Sequence, residues 1–338
     1  SCLIGFLMCS AFSLVVQAAT DGAHITKTIS QIERKKGIKR TIQYRPDGND
    51  FVCVNGKNRY TRALYGGITD FRIETSDRPV FAAYKPKDSK HICFRLQCGN
   101  QSIALDSLKF CEARYRAGRR TYRLTDPLLG KGELNISVLA FPDAEGGIWR
   151  FTMKDMPEGA LLHCYISEIR AKNLSRNGDM GADRADSFDA PQLPKEQKHY
   201  KLSLDGTTAY IVVEDQELRL PALVEGTSLY DKSEKWRSEI ESSLQISTPD
   251  PYFNPLGGAL AAAADGIWDG KIWLHGAIGW RSQLNGWRAA YIGDFIGWHD
   301  RARTHFDSYA ASQVTDVPAT IPHPTQDTAL HLARAVKK

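Results

Sequence analysis

Short apolar or alternating runs separated by turn residues follow one another from residue 40 to about residue 245. Strand-like runs occupy residues 51–54, 134–139 and 209–213, and turns containing glycine recur between such runs. A two-residue period with closely spaced turns is typical of antiparallel strands. Residues 111–124 predict a hairpin around Gly118, with basic residues on its open face. The pattern therefore predicts an all-β sandwich in this part of the chain.

One polar stretch interrupts the strand pattern at residues 171–198. It is longer than most connections between strands, and it contains Arg176, Asn177 and Asp179. We interpret it either as a functional loop or as a disordered one. In the first interpretation these three side chains are candidates for contact with a ligand bound beside the sandwich.

The pattern becomes helical after about residue 246. Prolines at 249, 251 and 255 indicate an extended linker over residues 246–255. The alanine-rich run 256–264 favours a helix, helical spacing predicts a second one over 298–314, and residues 327–338 predict the start of a third. We therefore divide the chain into a signal at 1–18, a β-sandwich at 19–245, the linker, and a helical region at 256–338.

The first eighteen residues have the features of an export signal. Residues 2–16 are apolar and uncharged, and such a run is short for a membrane span. Val16-Gln17-Ala18 supplies residues suited to cleavage before Ala19. The first residue is Ser1 and a basic segment is missing before the apolar run, so we expect the numbering to start late.

Two alternatives to a cleaved signal remain open. The apolar run could be a buried strand or an uncleaved anchor. Lipid attachment at Cys9 is less favoured, because Met8 is too bulky for the position before a lipidated cysteine. We expect export to the periplasm or the outer surface of a Gram-negative bacterium, with no membrane span after cleavage.

Composition excludes several classes of protein. Lys and Arg total 44 and Asp and Glu total 39, so a net charge of +5 gives no reason to expect nucleic acid as a partner. Hydrophobic residues at 42% argue against disorder over most of the length. Five cysteines would remain after cleavage, without the close spacing of a zinc site, and we expect them to be small buried residues.

Aromatic residues concentrate between residues 268 and 298. Five of the seven tryptophans lie there, and a glycine precedes three of them. A tryptophan ring stacks on the apolar face of a sugar, while Arg, Asp and His side chains bind its hydroxyl groups. The cluster therefore predicts a saccharide pocket in a loop between helices. Its predicted substrate-binding residues are His275, Trp280, Arg281, Trp287, Arg288, Asp294 and His299.

Two other interpretations of the aromatic cluster stay open. The tryptophans could pack in a helical core, and the neighbouring arginines could pair with Asp294 or Asp300 in a buried structural network. His275 and His299 lack the spacing of metal ligands. We therefore predict neither a metal nor a cofactor, and an oligosaccharide or polysaccharide as the partner.

Residues 250–258 and the Gly-Trp-Arg repeats that follow resemble an uncharacterised Bacteroidetes family, which itself looks like the six-hairpin glycosidases. The resemblance extends to residues 58–67, 77–79 and 176–179, and it covers most of residues 40–338. It implies a β-sandwich followed by an (α/α)6 barrel. This chain would then be an N-terminal fragment that holds only the first helices of the barrel.

The resemblance implies a secreted glycoside hydrolase with an acid/base pair of carboxyl groups, often working with inversion. No glutamate occurs between residues 246 and 338, and Asp294 and Asp300 are the acidic residues within the aromatic cluster. They are the catalytic candidates in this chain. We expect the main catalytic carboxylates beyond residue 338, so that the fragment alone would be inactive.

Two alternative functions follow from the same residues. A polysaccharide lyase would act on uronic acids, with Arg281 and Arg288 neutralising the carboxylate and Tyr291 or His299 as the base. The predicted order of a sandwich before helices counts against this alternative. A carbohydrate-binding protein without catalysis is the other alternative.

Overall fold

The computed structural model describes residues 43–85, 89–168, 199–276 and 286–311, with the backbone alone for residue 168 and for residues 286–290. The strands are β1 (Arg45–Asp47), β2 (Asp50–Val54), β3 (Arg62–Tyr65), β4 (Arg72–Thr75), β5 (Phe81–Tyr84), β6 (Lys90–Cys98), β7 (Gln101–Ala104), β8 (Phe110–Arg116), β9 (Arg119–Thr125), β10 (Glu133–Ala140), β11 (Gly146–Lys154), β12 (Leu161–Glu168), β13 (Tyr200–Ser203), β14 (Thr208–Glu214) and β15 (Glu217–Arg219). The helices are α1 (Leu223–Ser242), α2 (Leu256–Asp265), α3 (Gly286–Phe295) and α4 (His299–Ala310). Short 3₁₀ helices occupy Leu105–Ser107 and Pro127–Leu129.

The strands form two antiparallel sheets. Sheet A has eight strands in the order β1-β2-β8-β9-β10-β11-β14-β15. Sheet B has the order β13-β12-β6-β5-β4-β3, with β7 paired to the C-terminal end of β6. Within the described residues the chain is therefore mostly β, with helices in its C-terminal part, as the hydrophobic pattern predicts.

The core lies between the two sheets, because each sheet buries alternate residues against the other. Trp149 of sheet A is fully buried, and its ring meets Phe81 and Phe94 of sheet B edge to face. Phe151 packs on Phe94 with ring centroids 5.5 Å apart. These contacts join both sheets in one apolar cluster, which identifies the arrangement as a sandwich.

The predicted hairpin is confirmed. β8 and β9 pair from Phe110 to Thr125, and the turn between them carries Ala117 and Gly118, both with positive φ. Gly118 has φ +86°, a conformation in which a side chain would be strained. The hairpin thus holds its turn at the end of sheet A where the helices pack.

Helix α1 packs on the outer face of sheet A. Tyr230 lies in a second apolar cluster with Ile148 and Val212, and its hydroxyl is 2.7 Å from the Ser137 hydroxyl. The prediction of strands as far as residue 245 is wrong here. The inward face of α1 contains Gly226, Tyr230, Ser233 and Arg237, which have helical spacing but are mostly small or polar. The hydrophobic pattern was therefore too weak to indicate a helix.

The later helices agree with the prediction in part. α2 confirms the helix predicted over 256–264, and α4 confirms the described part of the helix predicted over 298–314. Residues 286–295 form α3 rather than a loop, so the backbone of Trp287 and Arg288 is helical. The predicted signal, the polar stretch 171–198 and the helix predicted from residue 327 lie outside the described residues.

Four of the five cysteines in the described residues are buried, and Cys98 is partly exposed. All five are free thiols. Burial raises the pKa of Cys93 and of Cys111 to about 12. The prediction of small buried residues is therefore confirmed for four of the five cysteines and not for Cys98.

Candidate functional site

Four of the predicted site residues have exposed side chains at the surface of the helical region. Nδ1 of His299 lies 3.0 Å from Oδ1 of Asp294, and 67% and 66% of the two side chains are exposed. His275 is also exposed, and Asp300 has 96% of its side chain exposed beside Arg303. Neither aspartate lines the cleft described below.

The other predicted site residues fall outside what the structure describes. Trp280 and Arg281 are not among the described residues, and for Trp287 and Arg288 only the backbone is described. Arg176, Asn177 and Asp179 also lie outside the described residues. The saccharide pocket predicted from the Gly-Trp-Arg repeats therefore stays a prediction.

The described tryptophans of the aromatic cluster form the core of the helical region. Trp273 is fully buried, and its ring centroid is 4.6 Å from that of Trp268. Its indole N–H donates to the Ala264 carbonyl at 3.0 Å, and its backbone N–H donates to Nδ1 of His305 at 3.0 Å. For Trp273 the core-packing interpretation is therefore correct.

An arginine beside these tryptophans also has a structural reason. The Arg301 guanidinium lies 4.3 Å from the ring centroid of Trp298 and 5.6 Å from that of Trp268. It donates to Oδ1 of Asp265 at 2.7 Å. Stacking and pairing together fix the end of α2 against α4.

A cleft opens where the sandwich meets the helices, and we call it the junction cleft. Its volume is about 220 Å³. That is below the range of roughly 300–1,000 Å³ typical of pockets for drug-sized ligands, so the junction cleft suits a single small ring. Its lining comes from β3, the β8–β9 turn, α1 and α2, and comprises Thr61, Arg62, Ala63, Tyr65, Tyr115, Ala117, Gly118, Trp236, Arg237, Ile240, Ala262, Ala263 and Asp265.

Close packing of glycine shapes the floor of the junction cleft. A Cβ on Gly266 would lie 2.7 Å from the Tyr65 ring, so only glycine lets the end of α2 approach that ring. A Cβ on Gly258 would lie 3.1 Å from the Cβ of Ala117 in the hairpin turn. Helix α2 therefore packs against residues of both sheets. The walls of the cleft come from segments that are distant in the sequence.

A charged network holds α1 on the hairpin turn at the edge of the cleft. Arg237 donates to Glu234 at 2.7 Å, to Glu241 at 2.7 Å and to the Ala117 carbonyl at 3.2 Å. Glu241 also accepts from Arg116 at 2.7 Å, and Glu234 accepts from Arg119 at 2.9 Å. Burial raises the pKa of Glu241, but the hydrogen bonds from the two arginines outweigh burial and lower it overall.

Asp265 brings a buried carboxyl group to the cleft wall. Only 6% of the residue is exposed, and burial raises its pKa although Arg301 acts in the opposite direction. Oδ1 accepts from Arg301, and among the described residues Oδ2 has no hydrogen-bond partner. Asp265 can therefore offer one oxygen to a ligand in the cleft.

Arg62 brings a positive charge to the opposite wall. Its guanidinium lies 5.5 Å from the ring centroid of Tyr115 and 5.3 Å from that of Tyr44, and Nη1 donates to the Thr61 carbonyl at 2.6 Å. Burial raises the pKa of Tyr115, so its hydroxyl stays protonated and can donate. The cleft thus offers donors, one acceptor and aromatic faces.

A buried polar network supports this wall from below. Asp77 is fully buried and accepts from the hydroxyls of Tyr44 and Thr61 and from the Asn58 N–H. Arg120, also fully buried, donates to the Tyr44 hydroxyl at 2.8 Å. This network fixes Tyr44, whose ring lies within cation–π distance of Arg62.

The hydrophobic pattern did not indicate this cleft, although parts of its lining drew notice. Arg62 and Tyr65 lie in the segment 58–67 that carries part of the family resemblance, and Ala117 and Gly118 form the predicted hairpin turn. No feature of the sequence links these segments to Trp236 or Asp265. Only the packing of α1 and α2 on the sandwich brings these six positions together.

Residues 86–213 match a domain of unknown function, DUF4450. The match runs from the start of β6 through most of β14, so it covers the centre of both sheets but neither α1 nor α2. A search of curated proteins gives no significant match to the chain. The family match therefore supports the relationship of the sandwich to other proteins and gives no activity.

Two further observations concern the described residues alone. No three His, Cys, Asp or Glu side chains lie close enough together there to hold a metal ion. Within the same ranges, no helix has the length and apolar character that crossing a membrane requires.

Proposed function

We propose that the protein binds a glycan in the junction cleft and acts in glycoside hydrolysis. In this proposal α2, α3 and α4 belong to an (α/α)6 barrel like that of the six-hairpin glycosidases, and the protein is exported. The predicted Trp280, Arg281, Trp287 and Arg288 would extend the glycan site.

One observation carries the proposal: aromatic rings, a guanidinium group and a buried carboxyl group line a single cleft of monosaccharide scale. Trp236, Tyr65 and Tyr115 provide rings that can pack on the CH face of a sugar. Arg62 and the Asp265 Oδ2 provide a donor and an acceptor for its hydroxyl groups. Recognition of a sugar needs both kinds of group.

A wider groove nearby lacks this combination. Its volume is about 730 Å³, and it lies between the β1–β2 turn, α1 and the linker. The described residues that line it include Asn49, Ser238, Glu241 and Asn254, and none of them is aromatic. A sugar ring would have no face to stack on there, which favours the junction cleft.

Glycan binding is tested with a glycan array probed with the full chain. We expect retention on a subset of glycans, and we expect Trp236→Ala to abolish it while far-ultraviolet circular dichroism stays unchanged. The matched control is Phe253→Ala, which removes an exposed ring outside the cleft and should retain binding. Equal loss in both variants, or no glycan retained by the wild type, would refute the proposed site.

Hydrolysis is tested separately with the glycans that bind. Release of reducing ends without ultraviolet-absorbing products would support a hydrolase, and unsaturated uronide products would instead indicate a lyase. Binding without any released product would leave a carbohydrate-binding role and refute hydrolysis by this chain. Arg288→Ala in an active protein tests the predicted Trp-Arg segment, because that substitution should abolish turnover without unfolding the protein.

A further inference from the structure

We propose that the junction cleft selects an acidic sugar, with Arg62 binding the carboxylate or sulfate group of that sugar. This inference rests on the proposed glycan site and adds the charge of its substrate. It depends on a contrast between Arg62 and the other arginines around the cleft.

The other cleft arginines are neutralised by carboxylates. Arg237 pairs with Glu234 and Glu241, and Arg301 pairs with Asp265, all at 2.7 Å. Among the described residues, no carboxylate lies within ion-pair distance of Arg62. Its Nη1 donates to the Thr61 carbonyl, and its guanidinium lies near the rings of Tyr44 and Tyr115.

The surroundings of the cleft also carry an excess of positive charge. Five arginines face three carboxylates in the described residues, and the buried Arg120 and Asp77 below add one charge of each sign. The arginines are Arg62, Arg116, Arg119, Arg237 and Arg301, and the carboxylates are Glu234, Glu241 and Asp265. An anion at Arg62 would reduce this excess.

The geometry of Arg62 favours an anion of two or more oxygens. A guanidinium presents five N–H donors in a planar fork, which matches carboxylate and sulfate groups. The Thr61 carbonyl occupies Nη1, and the rings of Tyr44 and Tyr115 lie at 5.3 Å and 5.5 Å, within cation–π distance. A fork that is half-buried and fixed in this way loses little freedom when an anion binds.

The rest of the sugar has partners within the same cleft. With the anionic group on Arg62, the ring would lie toward Trp236 and Tyr65, and a hydroxyl group would reach the Asp265 Oδ2. The volume of about 220 Å³ limits the cleft to one acidic monosaccharide of the glycan. The preferred ligand is therefore a glycan with an acidic residue at one subsite.

The test uses the full chain on an array that carries neutral, uronate-containing and sulfated glycans, followed by calorimetry with trigalacturonate and its neutral methyl ester. We expect acidic glycans to be retained in preference to neutral ones. Arg62→Gln should weaken trigalacturonate binding at least tenfold and weaken methyl ester binding by a much smaller factor, because only the acidic ligand places an anionic group on the guanidinium. The array compares uronates with sulfated glycans and so identifies which anionic group is bound.

Two controls separate a local effect from a loss of charge or of fold. Arg303→Gln removes one exposed charge outside the cleft and should bind trigalacturonate like the wild type. Arg62→Lys keeps the charge but loses the fork, and should bind with intermediate affinity. If Arg62→Gln fails to fold, the wild type decides: its trigalacturonate affinity should fall with added salt while methyl ester affinity does not.

Equal binding of trigalacturonate and its methyl ester by the wild type would overturn the inference. An equal loss in Arg62→Gln and Arg303→Gln would also overturn it. In either case the proposed glycan site would still stand if the wild type retained neutral glycans and Trp236→Ala did not. If no glycan of any class is retained, the proposed function itself fails.

Discussion

Replacement of Arg237 by Met tests the network that holds α1 on the hairpin turn. Arg237 is 5% exposed and donates four hydrogen bonds, three of them to the carboxylates of Glu234 and Glu241. Methionine keeps most of the length and the apolar stem but removes the charge. The substitution therefore leaves Glu234 and Glu241 without their shared partner.

The magnitude follows from what the two glutamates retain. Removing one partner of a buried ion pair costs about 3–5 kcal/mol. Glu241 keeps Arg116 and Glu234 keeps Arg119, so neither carboxylate is left unpaired. We therefore expect the lower end, a loss of about 3 kcal/mol in the free energy of unfolding at pH 7.

The assay is urea unfolding followed by tryptophan fluorescence, with the slope compared between variants to confirm the same transition. Arg303→Met is the matched control, since Arg303 is 73% exposed and lies 3.5 Å from Asp300, and its unfolding midpoint should not move. A double-mutant cycle with Glu241→Gln should give a coupling of at least about 1 kcal/mol. If Arg237→Met matches the control, the network does not hold α1, and the reasoning is refuted.

Three further predictions concern single positions. Glu241→Gln should lower the free energy of unfolding by about 2 kcal/mol at pH 7. Because the folded-state pKa of Glu241 is lowered, the difference in unfolding free energy between variant and wild type should shrink as the pH falls below about 4.5. Urea unfolding at several pH values measures this difference, and a difference that does not change with pH would contradict the prediction. Among the described thiols, native-state alkylation followed by mass spectrometry should modify Cys98 first, because Cys98 is partly exposed and the other four are buried. Burial raises the pKa of Cys93, for example, to about 12. Equal labelling of Cys98 and Cys93 would contradict this prediction. His299→Ala should leave thermal stability unchanged, because solvent screens its exposed pair with Asp294; a loss above about 1 kcal/mol would contradict that screening.

The predicted and observed helices differ for a physical reason. The alanine-rich α2 has high intrinsic propensity, so its sequence indicates a helix without help from packing. In α1 the buried stripe is Gly226, Tyr230, Ser233 and Arg237, and Arg237 becomes buried only because two glutamates on the same helix neutralise it. A periodicity search for apolar residues has little to detect in such a helix.

The candidate site could be predicted only in its parts. The rings and arginines around residues 268–298 indicated sugar chemistry, but Trp273 proved to be core and Asp294 lies exposed. Trp236, on an unpredicted helix, carried no signal of its own. Residues 58–67 and the hairpin around Gly118 were noticed separately, without a reason to place them side by side.

The sequence by itself determined the strand-rich architecture, the hairpin at Gly118 and the helix after the proline-rich linker. Alternating burial, turn residues and the helix propensity of alanine are local properties, because each depends on residues that are close together in the sequence. Only the tertiary structure decided which charges are neutralised. Arg116, on a distant strand, meets Glu241 of α1, whereas no carboxylate of the described residues lies within ion-pair distance of Arg62. Pairing between charges depends on distance in space, and distance in sequence does not reveal it.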